Sequence, residues 1–163
     1  RDVLFRTNVT IDFCNDQIRS FDGEVISGVP FNTHKGGIYF DVKLDGETFE
    51  YVIFDTGASI MSVDMETALK AKFKECTDEE KKTIVGDSEG NILETKDFII
   101  DRFEFGSIVL KGIRVNGHCL KKIAAIKQLD KYGGILGMSL LDGYTFTFDF
   151  ASKLCQIEKG NDT

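Results

Sequence analysis

Short stretches of alternating apolar and polar residues, separated by glycines, constrain the fold of this chain more than any other feature. Thr145–Phe150 alternates strictly, with phenylalanine at every second position, and Asp45-Gly46 separates Ile38–Leu44 from Thr48–Phe54. Period-two alternation is typical of half-buried strands, and Asp-Gly is a strong hairpin signal. With 16 glycines and a single proline in 163 residues, the chain is predicted to be β-rich with tight turns.

Two segments depart from this alternation and predict short helices. Met65–Lys74 repeats its apolar residues at helical spacing, and Asp64 is placed to cap its first turn. Lys121–Lys131 can form a second short helix, and its lysines predict a solvated face rather than an anion site. Phe98–Phe105 and Ile108–Val115 are predicted to form a further strand pair around a Gly-Ser turn.

Charge and hydropathy exclude several classes of function. The chain has 20 Lys and Arg against 27 Asp and Glu, a net charge of −7, so it is expected to repel nucleic-acid phosphates and anionic lipid surfaces. No apolar run approaches the roughly 20 residues that a membrane-spanning helix needs, and we expect no membrane span. The length predicts one compact domain.

The cysteines and histidines do not show the spacing of a metal site. No Cys-x-x-Cys pair occurs, and neither histidine has acidic neighbours at ligand spacing, so no metal is expected. We predict that His34 and His118 lie at the surface or in turns. Two alternatives stay open for the cysteines: two disulfides formed in an oxidising compartment, or buried free thiols. The four cysteines are Cys14, Cys76, Cys119 and Cys155. The even cysteine count and the start at Arg1 favour an extracytoplasmic location, periplasmic or secreted.

The most informative segment is Tyr51–Ser59, where an apolar strand leads directly into an Asp-Thr-Gly-Ala-Ser turn. The strand delivers the Asp55 carboxylate to the turn, and Gly57 permits a close backbone approach that a side chain would block. Thr56 and Ser59 supply hydroxyls that can hold the turn. A second apolar and glycine-rich element, Ile135-Leu136-Gly137, follows much later in the chain.

With these elements, the chain resembles the retropepsin-like aspartic proteases, and most closely their bacterial single-domain members. The resemblance runs from about Gly37 to Ile157 and rests on the catalytic turn, on Gly134–Met138 and on a polar hairpin tip at Val85–Gly90. It implies an all-β fold, a closed acid-protease barrel with one or two short helices. Residues 37–160 would form this protease domain, and residues 1–36 an N-terminal extension or outer strands.

The resemblance also implies a role for individual residues. Asp55 would be catalytic, the residues that follow it would support the catalytic loop, a flap would cover the substrate, and a later strand would thread beside the loop. No cofactor is implied. The loop residues are Thr56, Gly57, Ala58 and Ser59. The flap residues are Gly86, Asp87, Ser88, Glu89 and Gly90. The threading residues are Ile135, Leu136 and Gly137.

The chain contains a single Asp-Thr-Gly, whereas the family mechanism needs two carboxylates that share one proton and activate a water. Leu141-Asp142-Gly143 lacks the required hydroxyl residue. We therefore expect that the second carboxylate comes either from a homodimer in which two copies of Asp55 meet, or from a second lobe outside this chain. The complete enzyme would be an endopeptidase that acts on peptide or protein substrates. The alternative is a non-catalytic or latent peptide-binding domain. Ser139 stands where related bacterial chains often carry Asp, and Arg1–Pro30 extends beyond the compact viral pattern.

Overall fold

A computed structural model of the chain describes residues 8–77, 86, 90 and 92–160. Among these residues, two short helices, α1 (Met65–Lys70) and α2 (Lys121–Lys127), and a 3-10 turn at Met138–Leu140 interrupt the strands. Neither helix is long and apolar enough to cross a bilayer. The strands of the described residues are β1 (Val9–Asp12), β2 (Gln17–Ser20), β3 (Val29–Pro30), β4 (Asn32–His34), β5 (Gly37–Leu44), β6 (Glu47–Phe54), β7 (Ser62–Asp64), β8 (Lys74–Glu75), β9 (Thr95–Phe105), β10 (Ile108–His118), β11 (Gly134–Leu136), β12 (Tyr144–Asp149) and β13 (Leu154–Lys159).

Six of these strands close into a barrel. Hydrogen-bonded neighbours follow the order β5-β6-β11-β7-β10-β9, and the pairing of β9 back onto β5 closes the circle. Strands β4 and β8 add to this sheet at its ends. Closure leaves no free edge among the six, which is the usual reason for a barrel to be stable without a covering layer. The all-β fold with a closed barrel and short helices, expected from the sequence, is confirmed.

A second sheet brings the two ends of the described chain together. Its order is β2-β1-β12-β13-β3, with every pairing antiparallel. Strand β1 lies against β12, so Val9 is level with Phe148 and Asp12 with Thr145. The boundary at residue 36 between an extension and a protease domain stays a prediction.

Phenylalanine side chains fill the space between the barrel and this second sheet. Phe146 and Phe148 of β12 are fully buried, and both rings contact Phe54 of β6 edge-on, at centroid distances of 5.2 and 5.4 Å. Edge-to-face contacts of this kind add stabilisation beyond the burial of apolar area. The alternation in Thr145–Phe150 therefore forms core as predicted, and the core reaches the residue that directly precedes Asp55.

The hairpin and helix signals behave largely as predicted. Asp45 and Gly46 both adopt left-handed conformations, φ 51° and 87°, as a two-residue hairpin requires. The Asp64 side chain caps α1 by accepting the Thr67 backbone N–H at 3.1 Å. The helix ends at Lys70 rather than at residue 74, because Lys72 takes up a left-handed conformation, φ 57°, that turns the chain.

Two further predictions need correction. The sequence pattern of Glu24–Phe31 makes it a candidate strand, but only Val29–Pro30 is paired, at the edge of the second sheet, where the missing N–H of proline is tolerated. His118, predicted at the surface or in a turn, is buried at the end of β10 with 2% of its surface exposed.

All four cysteines are free thiols. Cys155 is buried in the core, Cys76 is half-buried, and Cys14 and Cys119 are exposed. Burial raises the pKa of the Cys155 thiol well above its ordinary value, so that thiol stays protonated.

Candidate active site

Asp55 lies at the end of β6, where the barrel strand passes into the Asp-Thr-Gly turn. Its backbone N–H donates to the carbonyl of Leu136 on β11 at 3.1 Å, so the neighbouring strand fixes its backbone. Its carboxylate Oδ1 accepts the Gly57 N–H at 2.9 Å, and Asp55 carbonyl accepts the Ala58 N–H at 3.3 Å. The tight turn therefore fixes one oxygen of the carboxylate and leaves the other oxygen available for chemistry.

Strand β11 threads between the two strands that flank the Asp55–Ser59 turn. It runs parallel to β6, with Ile135 level with Ile53, and antiparallel to β7, with Ile135 also level with Ser62. This passage is narrow. A Cβ at Gly134 would collide with the carbonyl oxygen of Ser62, which explains why glycine stands there.

The turn itself is tied to the residues that follow β11. Met138 N–H donates to the Ala58 carbonyl at 2.7 Å, and Ser139 N–H donates to the Ser59 carbonyl at 3.0 Å. A Cβ at Gly137 would lie 2.9 Å from the Ala58 oxygen and closer still to the Ile60 carbonyl. Ser139 contributes to the site through its backbone here, so its departure from the bacterial pattern leaves these bonds intact.

The accessible part of the turn is small and polar. Asp55 and Ala58 are half-buried, whereas Thr56, Gly57 and Ser59 are exposed. Of the threading residues, Leu136 is fully buried, while Ile135 is only half-buried and lies beside Ile53. The structure thus brings the predicted loop residues and the predicted Ile135–Gly137 element together around one carboxylate.

The predicted flap falls mostly outside the described residues. Asp87, Ser88 and Glu89 belong to that part of the chain. Gly86 forms an isolated antiparallel bridge with Ile92, and Gly90 has a left-handed φ of 83°.

Two tyrosines that the sequence analysis did not single out lie on the Asp55 side of β6. Tyr39 of β5 is level with Ile53, and Tyr132 precedes β11; they are 1% and 9% exposed. Burial raises the pKa of the Tyr132 phenol, and the neighbouring Tyr39 and Asp55 raise it further. No motif announces these tyrosines. The hairpin register read from the sequence does not place Tyr39 opposite Ile53 either, because an irregularity between Phe40 and Val42 shifts the pairing by one residue.

A buried polar network begins at the start of β9, close in sequence to the predicted flap. His118 Nδ1 lies 3.1 Å from Asn116 Oδ1, and the Asn116 amide donates to Asp97 at 2.9 Å. The other Asp97 oxygen accepts from the Arg114 guanidinium at 2.6 Å. Burial lowers the pKa of His118 below its ordinary value, and the negative charge of Asp64 partly opposes this shift. His118 is therefore held neutral by its surroundings.

A metal site needs several ligand side chains close together. Within residues 8–77, 86, 90 and 92–160, no group of three His, Cys, Asp or Glu side chains gathers closely enough to hold a metal ion.

Comparison with known proteins agrees with this geometry. Residues 40–140 match the family described as aspartyl protease, and since they make up more than half of the sequence, the chain belongs to that family. Its fold is retropepsin-like: the structure is similar to that of a retropepsin-like aspartic protease from Rickettsia conorii, with a TM-score of 0.51 and 20% identity over 79% of this chain and 86% of that one. The curated proteins contain no match to the chain.

Proposed function

We propose that the chain supplies one half of an aspartic endopeptidase, with Asp55 as its catalytic carboxylate. The observation that carries this proposal is the double attachment of the catalytic turn. Asp55 is tied to Leu136 on one side, and Ala58 is tied to Met138 on the other, at 3.1 and 2.7 Å. A carboxylate held this firmly at an accessible turn is preorganised for general acid–base work on a water molecule.

The second carboxylate would come from the Asp55 of a second copy, or from a second lobe outside this chain. Two carboxylates about 3 Å apart cannot both ionise, so one would act as base on the water while the protonated one donates to the scissile carbonyl. The apparent pKa values would belong to the pair rather than to either residue. In a homodimer, the exposed Thr56 would bond across the two-fold axis to the partner's loop.

The remaining predicted residues complete the proposal. Gly57 and Ser59 would keep the loop in shape, with Ala58 and Ser59 bordering the substrate. The flap at Gly86–Gly90 would close over a peptide bound in extended form, through strand-like backbone bonds. Ile135, Leu136 and Gly137 would support the loop from beneath. The substrate class is a peptide or protein.

The test compares the native chain with Asp55→Asn on a diverse peptide library from acidic to neutral pH. We expect cleavage by the native chain and a loss of at least about 10³-fold in the variant, because the general base is removed while the shape is kept. Sedimentation of the same samples gives the fraction of dimer at each concentration.

Three outcomes would count against the proposal in different ways. Full activity in a strictly monomeric sample would exclude the two-copy dyad. Equal cleavage by both chains would exclude Asp55 as the base. Peptide binding without cleavage, at concentrations where dimers form, would favour the non-catalytic peptide-binding alternative.

A further inference from the structure

The outer face of β6 carries a row of side chains that leads directly to Asp55. Strand residues alternate between faces, so Val52 and Phe54 point into the core while Ile53 and Asp55 share the opposite face. Tyr39 on β5 and Ile135 on β11 are both level with Ile53. These three residues form a continuous row across adjacent strands, one side-chain step before the catalytic carboxylate.

The row belongs to a second hydrophobic cluster that is separate from the main core. The segment between β10 and β11, residues 119–133, folds over the row and forms what we name the α2 roof. Ile53 and Ile135 are only half-buried, so the row stays partly open. The cluster consists of Tyr39, Tyr51, Ile53, Leu120, Ile123, Ala124, Leu129, Tyr132 and Ile135.

The hydroxyl of Tyr39 is the unusual atom in this apolar setting. Tyr39 is 1% exposed, and its Oη has no hydrogen-bond partner among the described residues. The ring folds back along β5: a Cβ on Gly37 would lie 2.8 Å from the Tyr39 Oη. Continuing the β5–β6 register by two residues would put Gly37 level with Asp55. The hydroxyl is therefore directed toward the catalytic end of the row.

Tyr132 places a second phenol next to the first. It is 9% exposed and packs in the same cluster, at the point where the α2 roof enters β11. The pKa values of both phenols are raised, mainly by burial, so both stay neutral and keep their protons to donate. An apolar wall with neutral hydroxyls accommodates an uncharged polar group far better than a charged one.

We propose that Tyr39 and Tyr132 determine substrate specificity beside Asp55, by selecting a large apolar side chain that ends in a neutral hydrogen-bonding group. This inference rests on the proposed peptidase function. Tyrosine is the clearest example of such a side chain, because its ring suits the wall formed by Ile53 and Ile135 and its hydroxyl suits the unpartnered Tyr39 Oη. A substrate phenylalanine would fill the same space and leave that hydroxyl unpaired.

The experiment uses two peptides that differ only in Tyr or Phe next to the cleaved bond, with kcat/KM measured for each. For the native chain we expect a preference for the Tyr peptide of about 3- to 10-fold, the value of one net hydrogen bond. Tyr39→Phe is expected to reduce this ratio to about 1. Tyr144→Phe is the matched control, since this half-buried tyrosine lies on β12 in the other sheet, and we expect it to keep the native ratio.

Several results would overturn the inference. A native ratio of 1, or an unchanged ratio in Tyr39→Phe, would show that the hydroxyl does not contact the substrate. An unchanged ratio with a displaced pH profile would place the hydroxyl in contact with Asp55 instead. If Tyr39→Phe fails to fold, as checked by thermal unfolding, Tyr132→Phe replaces it and must also lower the ratio.

A failure of the peptidase function itself gives a different pattern. If the native chain cleaves neither peptide, the two peptides are titrated against Asp55→Asn and their dissociation constants compared. Tighter binding of the Tyr peptide, lost in the Asp55→Asn, Tyr39→Phe double variant, would support the specificity inference without catalysis. Equal affinities, or no binding of either peptide, would overturn it.

Discussion

The Asp55 turn and the α2 roof border the same face of β6, yet they are held in place largely by different kinds of bond. The turn is fixed by backbone groups: Asp55 to Leu136, Ala58 to Met138 and Ser59 to Ser139. Backbone bonds hold the roof at Gly133, whose N–H donates to the Glu50 carbonyl at 2.8 Å and whose carbonyl accepts the Asp64 N–H at 3.3 Å. The other attachments of the roof involve side chains. Its helix α2 contains no fully buried residue, and no side chain caps its first turn.

The attachments of the roof lie at its margins. His34 Nε2 lies 2.8 Å from the Lys127 carbonyl, Lys121 pairs with Glu66 of α1 at 2.7 Å, and Lys131 pairs with Glu50 of β6. Both ion pairs are exposed, and such pairs contribute little to stability. The difference teaches that the proposed chemistry depends on a backbone frame that tolerates few residues, whereas the surface proposed to meet substrate side chains is built from replaceable ones.

The largest expected effect comes from disturbing the backbone frame at Gly137. Its φ of −95° suits any residue, so the sole obstacle to alanine is space: a Cβ would press on the carbonyls of Ala58 and Ile60. We expect Gly137→Ala to lower the free energy of unfolding by about 3 kcal/mol, measured by urea denaturation, because two backbone segments must separate.

The matched control for this prediction is Gly46→Ala. Gly46 has a left-handed φ of 87°, but nothing lies within 4 Å of its would-be Cβ. The loss should be limited to backbone strain, about 1 kcal/mol. Equal losses in the two variants would show that the passage of β11 is not tightly packed.

A smaller effect is expected at the root of the α2 roof, where His118 lies near the Asp64 carboxylate that receives the Leu120 N–H. The pKa of His118 in the fold is lowered from the usual value of about 6.5, so the unfolded chain binds the proton first as the pH falls. Stability should therefore be complete above about pH 6.5 and decline below it, by up to about 1.4 kcal/mol per pH unit, until His118 protonates in the fold.

The measurement is the free energy of unfolding of the native chain and of His118→Asn at pH 7 and pH 5. The asparagine amide can still donate to Asn116 but does not titrate. Carboxylates with lowered pKa values, such as Asp12 and Asp149, affect both chains alike, so the difference between the two chains isolates His118. Parallel pH dependences would contradict the assignment.

The smallest effect is expected where the roof is tied at its other end. His34→Ala removes the hydrogen bond to the Lys127 carbonyl and should cost about 1 kcal/mol. Hydrogen exchange should rise in α2 while the amide of Asp55, bonded to Leu136, keeps its protection. Faster exchange at Asp55 as well would mean that the roof and the turn open together, and the comparison between them would fail.

Much of the fold was predictable because its signals are local. The Asp45-Gly46 hairpin, the Phe146 and Phe148 stripe and the Asp64 cap each follow from steric or hydrogen-bonding preferences within a few residues. The errors arose where a distant contact decided the outcome. His118 is buried because β7 and β9 lie on either side of β10, and short-range patterns cannot report that.

The candidate site divides in the same way. The sequence by itself determined that an apolar strand ends in Asp55-Thr56-Gly57, and that Gly137 follows a second apolar run, because strand and turn preferences act over a few residues. Only the tertiary structure decided that β11 threads beside β6, and that Tyr39 and Tyr132 lie on the Asp55 face. Strand order and register depend on long-range hydrogen bonds and on which apolar faces can be buried together, so they are settled only when the whole chain packs.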